Sequence, residues 1–239
     1  VIYMSKNIVV TGGGKGLGYC IVQKHLEQGD SVFALEYRIT QQLIDLSEKY
    51  PLLSISPCDV SSTQSVNTAL SSLRQRISGV DILYNVAGIY FQDDTVALEE
   101  SDIDRCLSLY NVNALGQLRV MAALSPLFHS GSVIINVTSE AGSVSSCTRT
   151  SEYGYSMSKA AANMGSKIFA NQAADRNIRI FCIHPGWLKT DMGGTGALLS
   201  DTSISPQQSA DALIEIAQDP ASIPSEIMYL DYERNPLCW

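Results

Sequence analysis

The segment YSMSK at residues 155–159 contains two side chains that could move a proton together. Residues four apart lie on the same face of an α-helix, so the Tyr155 phenol and the Lys159 ammonium can reach one pocket. A free tyrosine keeps its proton up to a pKa of about 10, and a neighbouring cation lowers that pKa by favouring the phenolate. Tyr155 could then exchange a proton with a carbonyl or alcohol oxygen. The same spacing arises by chance in many helices, so the pair needs support from other motifs.

Length and composition describe one α/β domain and argue against several classes of function. The chain has 239 residues, of which 45% are hydrophobic and 17% charged, and one sheet of this size commonly forms a single domain over residues 1–239. A net charge of −8 without a long basic run argues against nucleic-acid and anionic-membrane partners. We expect neither a membrane span nor a signal peptide, because no stretch approaches the roughly 20 apolar residues of a span. Residues 1–6 are expected to form a short leader, and the expected location is the cytoplasm.

The cysteines and histidines show no pattern of a metal site or of a disulfide framework. Six cysteines and three histidines are scattered along the chain, without a C-x-x-C motif or a histidine cluster. We therefore expect no metal ion and a reducing compartment, with most cysteines acting as small core residues.

A glycine-rich turn follows the first predicted strand. The β-branched run Asn7–Thr11 predicts a buried strand, and GGGKGLG at residues 12–18 leads from it into a helix that ends near Gln28. Glycines let the backbone approach a phosphate, and a helix N-terminus offers free N–H groups and a positive dipole end. The spacing differs from the general G-x-G-x-x-G fingerprint, so a merely flexible turn is the alternative.

The second predicted strand, Ser31–Glu36, ends in an acid. Glu36 lies twenty residues after Gly16, about the offset of a carboxylate that binds the adenosine ribose hydroxyls of a dinucleotide. The alternative is an ordinary solvated acid at a strand end.

Strands and helices alternate along the rest of the chain. Further strands are predicted at 52–56, 82–85, 132–137, 178–184 and 226–231, and further helices at 40–49, 62–78, 103–127, 155–176 and 205–218. This alternation, without repeats or linkers, predicts an α/β fold with a single Rossmann-type doubly wound parallel sheet of about seven strands and helices on both faces. Residues 188–205 contain three glycines and form the longest loop-like stretch, a candidate substrate lid.

Several polar residues fall where such a sheet binds ligands. Asn85 and Ser139 follow predicted strands, and ligands of open α/β sheets lie outside the carboxyl ends of the strands. Asn113 falls inside a predicted helix, where asparagine is not favoured. It either caps a backbone carbonyl in the core or lines a site.

Five motifs agree in order and approximate spacing with one family. They are TGGGKGLG at 11–18, CDV at 58–60, NVAG at 85–88, NVTSEAG at 136–142 and YSMSK at 155–159. The chain resembles the short-chain dehydrogenase/reductase family from Thr11 to about Asp231. The stretch PGWLKTDMGGTGA at 185–197 is most similar to the branch containing C-factor-type and Sniffer-like carbonyl reductases. NVAG departs from the commoner NNAG at Val86.

The resemblance implies a catalytic tetrad of Asn113, Ser139, Tyr155 and Lys159. Tyr155 would be the general acid/base, and Ser139 would bind the substrate oxygen. Lys159 would bind the nicotinamide ribose and lower the pKa of Tyr155, while Asn113 would hold a water that relays protons. The implied cofactor-binding residues are Gly12, Gly14, Lys15, Gly16, Leu17, Gly18, Glu36, Asp59, Val60, Asn85, Ala87, Gly88, Tyr155, Lys159, Pro185, Gly186 and Thr190.

The activity implied by the resemblance is an NAD(P)-dependent oxidoreduction between a small-molecule ketone or aldehyde and an alcohol. Glu36 would repel the 2′-phosphate of NADP, whereas Lys15 and Arg38 stand where the family often has basic residues for NADP. Long basic side chains can swing into solvent and Glu36 cannot, so we favour NAD over NADP.

Two alternatives to this activity remain at this point. A regulatory protein that only senses a dinucleotide could use the same fold, although the complete tetrad argues against it. An epimerase or dehydratase fits poorly, because such relatives usually have a longer substrate-binding portion.

The resemblance also implies a homodimer or homotetramer. Small residues cluster on the Tyr155 helix, which often packs against its mate in this family. Packing inside the chain is the alternative use of this helix face.

Overall fold

The computed structural model describes residues 5–239. The first four residues of the predicted leader lie outside this range. Within it, seven strands form one sheet: β1 (Asn7–Thr11), β2 (Ser31–Glu36), β3 (Leu53–Pro57), β4 (Val80–Asn85), β5 (Phe128–Val137), β6 (Arg179–His184) and β7 (Tyr229–Asp231). Their order is β3-β2-β1-β4-β5-β6-β7 and every pair is parallel. The predicted Rossmann-type doubly wound sheet is confirmed.

Helices connect the strands and cover both faces of the sheet. They are α1 (Gly16–Glu27), α2 (Gln41–Lys49), α3 (Thr63–Arg74), α4 (Cys106–Tyr110), α5 (Gly116–Leu124), α6 (Tyr153–Gln172), α7 (Gly194–Leu199) and α8 (Pro206–Gln218). Side-chain caps start three of them, since Thr40, Ser62 and Ser205 each accept a backbone N–H from the first turn of α2, α3 and α8.

The central strands are apolar on both faces because helices cover both sides. Ile8 and Val10 of β1 belong to a core shared with α1, α2 and α8. Val9, between them, belongs to a second core shared with α3 and α5. Successive side chains of a strand point to opposite faces, so a run of apolar residues is the pattern expected of a buried parallel strand.

The predicted helix over 103–127 is not one regular helix. The chain passes from α4 into a π-helical turn, Asn111–Leu115, and then into α5. A π turn inserts one residue into an α-helix and is common at functional sites. Hydrophobic periodicity cannot show such an insertion, because the flanking turns keep their apolar face.

The candidate lid, residues 188–205, is more ordered than its sequence indicates. It contains helix α7, and its two ends are joined by a parallel bridge between Leu188 and Ile204. Gln92 Nε2 also donates to the Met192 carbonyl oxygen at 2.8 Å. The expectation of a plain loop was therefore wrong, while its role as a lid stays a prediction.

Two of the small residues on α6 are used inside the chain. Ala162 is buried, and a Cβ at Gly165 would lie 3.0 Å from the Leu118 side chain of α5. The close approach that these residues allow is thus made to a helix of the same chain. The predicted homodimer or homotetramer stays a prediction.

Residues 5–239 contain neither a membrane-spanning helix nor a cluster of metal ligands. None of their helices is both long and apolar enough to cross a membrane. None of the groupings of His, Cys, Asp and Glu side chains in this range could hold a metal ion.

Gly18→Ala, in the first turn of α1, is expected to destabilise the fold more than Gly29→Ala, just beyond the other end of this helix. A Cβ at Gly18 would lie 2.0 Å from the Gly12 carbonyl oxygen, and overpacking of this kind costs about 2–3 kcal/mol. Gly29 has a φ of +86° and open space around it, so Gly29→Ala should cost only about 1 kcal/mol of backbone strain. Urea unfolding of both variants measures the difference, and equal costs would contradict the close approach.

Candidate active site

The glycine turn between β1 and α1 is shaped for a close approach of backbone to backbone. Gly12 and Gly16 have positive φ angles of 68° and 53°, which favour glycine. A Cβ at Gly12 would lie 3.0 Å from the Ala87 backbone. Lys15 precedes α1 without a side-chain cap, so the N–H groups of the first turn, from Gly16 to Gly18, can be offered to a phosphate.

Glu36 contacts the glycine turn directly. Its Oε2 accepts the Gly14 N–H at 2.5 Å and its Oε1 accepts the Tyr37 N–H at 3.0 Å. The Gly14 carbonyl accepts from Thr40 Oγ1 at 2.8 Å and from Gln42 Nε2 at 2.5 Å. Glu36 is therefore not an ordinary solvated acid, because it holds the turn that would carry the cofactor. The motifs did not predict a role for Thr40 and Gln42, whose only local signal in the sequence is the start of α2.

The two basic residues near Glu36 have other partners. Lys15 Nζ lies 3.0 Å from Asp191 Oδ2 in the lid, and both side chains are exposed. The Arg38 guanidinium lies over the Tyr37 ring, 5.5 Å from its centroid. Thr190, next to Asp191, packs near Gly16, where a Cβ would meet its Cγ2 at 3.3 Å. The lid thus reaches the glycine turn at two neighbouring positions.

The loop after β4 is held by a threonine that the sequence analysis did not assign to the site. Thr11 Oγ1 accepts the N–H groups of Val86 and Ala87 at 3.0 and 3.1 Å. Asn85, predicted to bind the cofactor, turns its side chain into the sheet and donates to Asn136 Oδ1 at 2.8 Å. The backbone after Asn85, and not its amide, therefore faces the glycine turn.

Asp59 and Val60 shape the loop after β3. Asp59 Oδ1 accepts the Ser61 N–H at 2.9 Å, and the Asp59 N–H donates to Ser65 Oγ at 2.9 Å. The Val60 carbonyl accepts from Arg119 at 3.0 Å.

Pro185 and Gly186 shape the turn after β6. The Pro185 carbonyl accepts from Ser209 at 2.7 Å, and Gly186 has a φ of +86°. Residues predicted to contact the cofactor thus lie at the carboxyl ends of β1, β2, β3, β4 and β6 or in the loops that follow them.

Lys159 is buried at the carboxyl end of β5. Its Nζ donates to the Val137 carbonyl at 3.1 Å and lies 5.6 Å from the centroid of the Tyr155 ring. A Cβ at Gly88 would lie 3.8 Å from Lys159 Nζ and 3.2 Å from Asn113 Oδ1. The structure therefore brings Lys159, Tyr155, Asn113 and Gly88 together, as the motifs predict.

Asn113 holds the backbone of the loop after β4. Its Oδ1 accepts the Ile89 N–H at 2.8 Å, and its Nδ2 donates to the Ile89 carbonyl and to Ser158 Oγ, both at 3.0 Å. The side chain is fully buried in the π-helical turn. Of the two uses left open by the sequence, capping of backbone groups is the one observed, at a place that also borders Lys159.

The pKa of Tyr155 is shifted in the direction opposite to the prediction. Burial raises the pKa of Tyr155 to about 12; a hydrogen bond with Ser139 opposes this rise, and the charge of Glu140 adds to it. Burial also lowers the pKa of Lys159 to about 8. Burial outweighs the predicted lowering by Lys159, whose ammonium donates to the Val137 carbonyl.

Ser139 is fixed from several sides. Its Oγ accepts the Ala141 N–H at 3.1 Å and donates to Glu140 Oε2 at 2.5 Å. Its carbonyl accepts the Tyr229 hydroxyl at 2.5 Å. Two hydroxyls, those of Ser139 and Tyr155, therefore stand side by side at the carboxyl end of β5, where they could share one substrate oxygen.

A family model of the short chain dehydrogenases matches residues 6–197. The chain belongs to the short-chain dehydrogenase/reductase family. The resemblance inferred from the five motifs is confirmed, and the chain is an oxidoreductase of the class that acts on CH–OH and C=O groups. Membership of an enzyme family argues against a pure dinucleotide sensor.

Individual relatives agree with this assignment. The chain is 37% identical over 122 residues to C-signal of Myxococcus xanthus, covering 50% of this chain and 72% of that protein. The NADPH-bound carbonyl reductase from chicken fatty liver superposes with a TM-score of 0.86 at 26% identity, covering 98% of this chain and 94% of the other. Carbonyl reductase Sniffer of D. melanogaster superposes with a TM-score of 0.84 over 99% of this chain and 100% of the other, and at 22% identity it shows the fold alone.

In this short-chain dehydrogenase/reductase an ion-pair network lies beside the Ser139 and Tyr155 hydroxyls. The sequence motifs did not predict this network. Arg149 contacts both Glu140 and Glu152, and the Tyr90 hydroxyl donates to Glu152. The edge of one ring faces the other in the Tyr90–Tyr155 pair, with centroids 5.0 Å apart. The available signal was the position of Glu140 directly after Ser139 and of Arg149 in the loop before α6.

Lys159→Met is expected to stabilise the fold in a pH-dependent way. The unfolded chain keeps the Lys159 proton up to a pKa of about 10.4, whereas burial lowers the folded pKa to about 8. Charged Lys159 therefore opposes folding below pH 8, and this cost fades as the pH rises from 8 to about 10.4. The stability advantage of Lys159→Met over the wild type should shrink by about 2–3 kcal/mol across that window.

Urea unfolding at pH 7 and at pH 10 measures this change. Lys167→Met is the matched control, because Lys167 lies on the same helix with its ammonium in solvent. A pH-independent difference between Lys159→Met and the wild type would contradict the burial of a charged Lys159.

Proposed function

We propose that this chain is an NAD(P)-dependent oxidoreductase that interconverts a ketone or aldehyde with an alcohol by hydride transfer, with Tyr155 as general acid/base. The observation that carries the proposal is the meeting of Ser139, Tyr155, Lys159 and Asn113 at the carboxyl ends of β4 and β5, beside the glycine turn. A second function is not favoured by any contact in the site.

The residues present fit a dinucleotide. The glycine turn leaves no room for side chains of its own, since a Cβ at Gly14 would lie 2.7 Å from Glu36 Oε2. We assign the pyrophosphate to the turn and the first turn of α1, the adenosine ribose to Glu36 and the nicotinamide ribose to Lys159. The nicotinamide, when bound, exchanges a hydride with the substrate carbon.

The protein supplies the proton and the position of the substrate oxygen. Tyr155 is protonated at neutral pH, because burial raises its pKa to about 12, and its hydroxyl would give that proton to a carbonyl oxygen as the alcohol forms. In the reverse direction the phenolate takes the proton of the alcohol. Ser139 binds the same oxygen, and Asn113 keeps the loop at Ile89 in place behind it.

Residues 188–205 form the lid of this single domain in our proposal. Trp187, directly before the lid, and Met192, within it, both have exposed apolar side chains. The ion pair between Lys15 and Asp191 joins the lid to the glycine turn. Substrate would enter between the lid and the loop at residues 143–154.

We favour NAD as the cofactor. Glu36 is held at both carboxylate oxygens by backbone N–H groups, so its charge stays at the end of β2. A 2′-phosphate placed there would meet this charge at close range. The chicken carbonyl reductase structure contains NADPH, so our choice of NAD rests on the charge of Glu36 alone.

Tyr155→Phe should abolish most turnover without loss of the fold. Removal of the phenolic oxygen takes away the proton donor, so kcat/KM should fall at least about a hundredfold while dinucleotide binding is retained. The assay screens ketones, aldehydes and secondary alcohols with both cofactors by the absorbance of the reduced nicotinamide. Tyr110→Phe, on α4, is the matched control and should keep full activity. Near-normal turnover of Tyr155→Phe would rule out its role as proton donor.

Glu36→Gln should weaken the choice between the two cofactors. The amide oxygen can still accept the Gly14 N–H, so the variant removes the charge and keeps the turn. We expect the wild type to prefer NAD, and the NAD-to-NADP ratio of kcat/KM to fall about tenfold, which corresponds to about 1.4 kcal/mol. Glu27→Gln, at the far end of α1, is the control. A wild-type preference for NADP that the variant leaves unchanged would show that Lys15 and Arg38 prevail.

A further inference from the structure

We propose that Glu152 is a positioning residue of the active site, whose left-handed backbone and fixed carboxylate hold Tyr155 in place relative to Ser139. The inference rests on the proposed function and deepens it, because it concerns how the general acid/base is held. Glu152 acts through its neighbours and not by contact with the substrate oxygen.

The backbone of Glu152 has an unfavourable conformation. Its φ of 62° and ψ of 40° lie in the left-handed region, where residues other than glycine are uncommon. The Cβ makes this region costly in free energy, so a residue stays there only where the surrounding contacts require it. Residues held in this way are concentrated at active sites.

This conformation sets the start of helix α6. The Glu152 N–H donates to the Asp94 carbonyl oxygen at 3.1 Å, and the Glu152 carbonyl oxygen accepts the Ser156 N–H at 3.0 Å. Tyr155 lies in the first turn of the helix, three residues after Glu152. A change in the backbone of Glu152 would therefore turn the first residues of α6 and move the Tyr155 hydroxyl.

The carboxylate of Glu152 is held at both oxygens. Its Oε1 accepts from the Tyr90 hydroxyl, and its Oε2 is paired with Arg149. The side chain is 14% exposed, so these contacts are made largely out of solvent. Burial raises the pKa of Tyr90 and the hydrogen bond to Glu152 raises it further, so Tyr90 keeps the proton that it donates. These contacts fix the residue in its left-handed conformation.

The two partners of this carboxylate reach the two hydroxyls of the site. The Tyr90 ring lies edge-on to the Tyr155 ring, with centroids 5.0 Å apart and planes at 81°. Arg149 also pairs with Glu140, which contacts the Ser139 hydroxyl. The start of α6 is thereby joined to the Ser139 turn, and the distance between the two hydroxyls depends on this connection.

Glu152→Gly should separate activity from stability. Glycine adopts the left-handed backbone without strain, while the contacts with Tyr90 and Arg149 are lost. We expect kcat with a ketone to fall at least about tenfold, because a small misplacement of a reacting group slows the chemical step. The dissociation constant of the dinucleotide should not change, because the glycine turn and Lys159 keep their contacts. The midpoint of urea unfolding should stay at the wild-type value, since relief of strain offsets the lost contacts.

Two further variants sharpen the experiment. Glu152→Gln keeps an oxygen for the Tyr90 hydroxyl and loses the charge that pairs with Arg149, so kcat should fall about threefold. This variant decides the question if Glu152→Gly does not fold. Asn177→Gly is the matched control, because Asn177 has a left-handed φ of 52° beyond the other end of α6, before β6. It should keep the wild-type kcat.

The possible results separate the two proposals. Wild-type kcat in both Glu152 variants, or an equal fall of kcat in Asn177→Gly, would overturn the role of Glu152 and leave the proposed activity standing. A lowered urea midpoint with unchanged kcat would assign Glu152 to the stability of the fold and overturn the role as well. A wild-type enzyme that turns over none of the ketones, aldehydes and alcohols with either cofactor would overturn both proposals.

Discussion

Burial of a parallel sheet on both faces is the constraint from which the site follows. Helices cover both sides of β1 and β4, so residues 8–10 and 82–84 are apolar and buried, and polar groups collect where the strands end. Parallel pairing places those ends along one edge. The glycine turn, the loop after β4 and the start of the Ser139 turn therefore meet at that edge.

Buried polar groups at this edge must find partners, and their choice of partner shapes the site. Asn113 satisfies both backbone groups of Ile89, and Thr11 accepts two N–H groups of the loop after β4. Lys159 Nζ donates a hydrogen bond to the Val137 carbonyl oxygen. The Asn113 and Thr11 contacts fix the loop after β4, and the Lys159 contact fixes the ammonium at the end of β5. The same burial shifts the pKa of Tyr155 upward and that of Lys159 downward, since both charged forms lose solvation.

Glu36 contacts the glycine turn and Glu140 contacts Ser139, and different partners hold the two carboxylates. Glu36 uses backbone N–H groups and keeps its charge at the end of β2. Glu140 uses the Ser139 hydroxyl and Arg149. In both places the carboxylate is held at two oxygens, so its direction is defined as well as its charge.

The sequence by itself determined the fold class, the order of elements and the family. Local geometry is enough for this, because the spacing of Tyr155 and Lys159 places them on one helical face and apolar runs predict buried strands. Prediction was less successful where one residue is inserted into a helix, as in the π turn at Asn113, and where a short helix forms inside the lid.

Only the tertiary structure decided which partner each polar side chain takes. Lys159 is directed at Val137, 22 residues away in the chain, and Asn113 at Ile89, 24 residues away. Glu140 and Glu152 meet through Arg149 in a loop without periodicity. Hydrogen-bond partners and pKa shifts depend on burial and on which loops come together. Neither is encoded in the local spacing of residues, so the sequence predicted the members of the site and the fold set their chemistry.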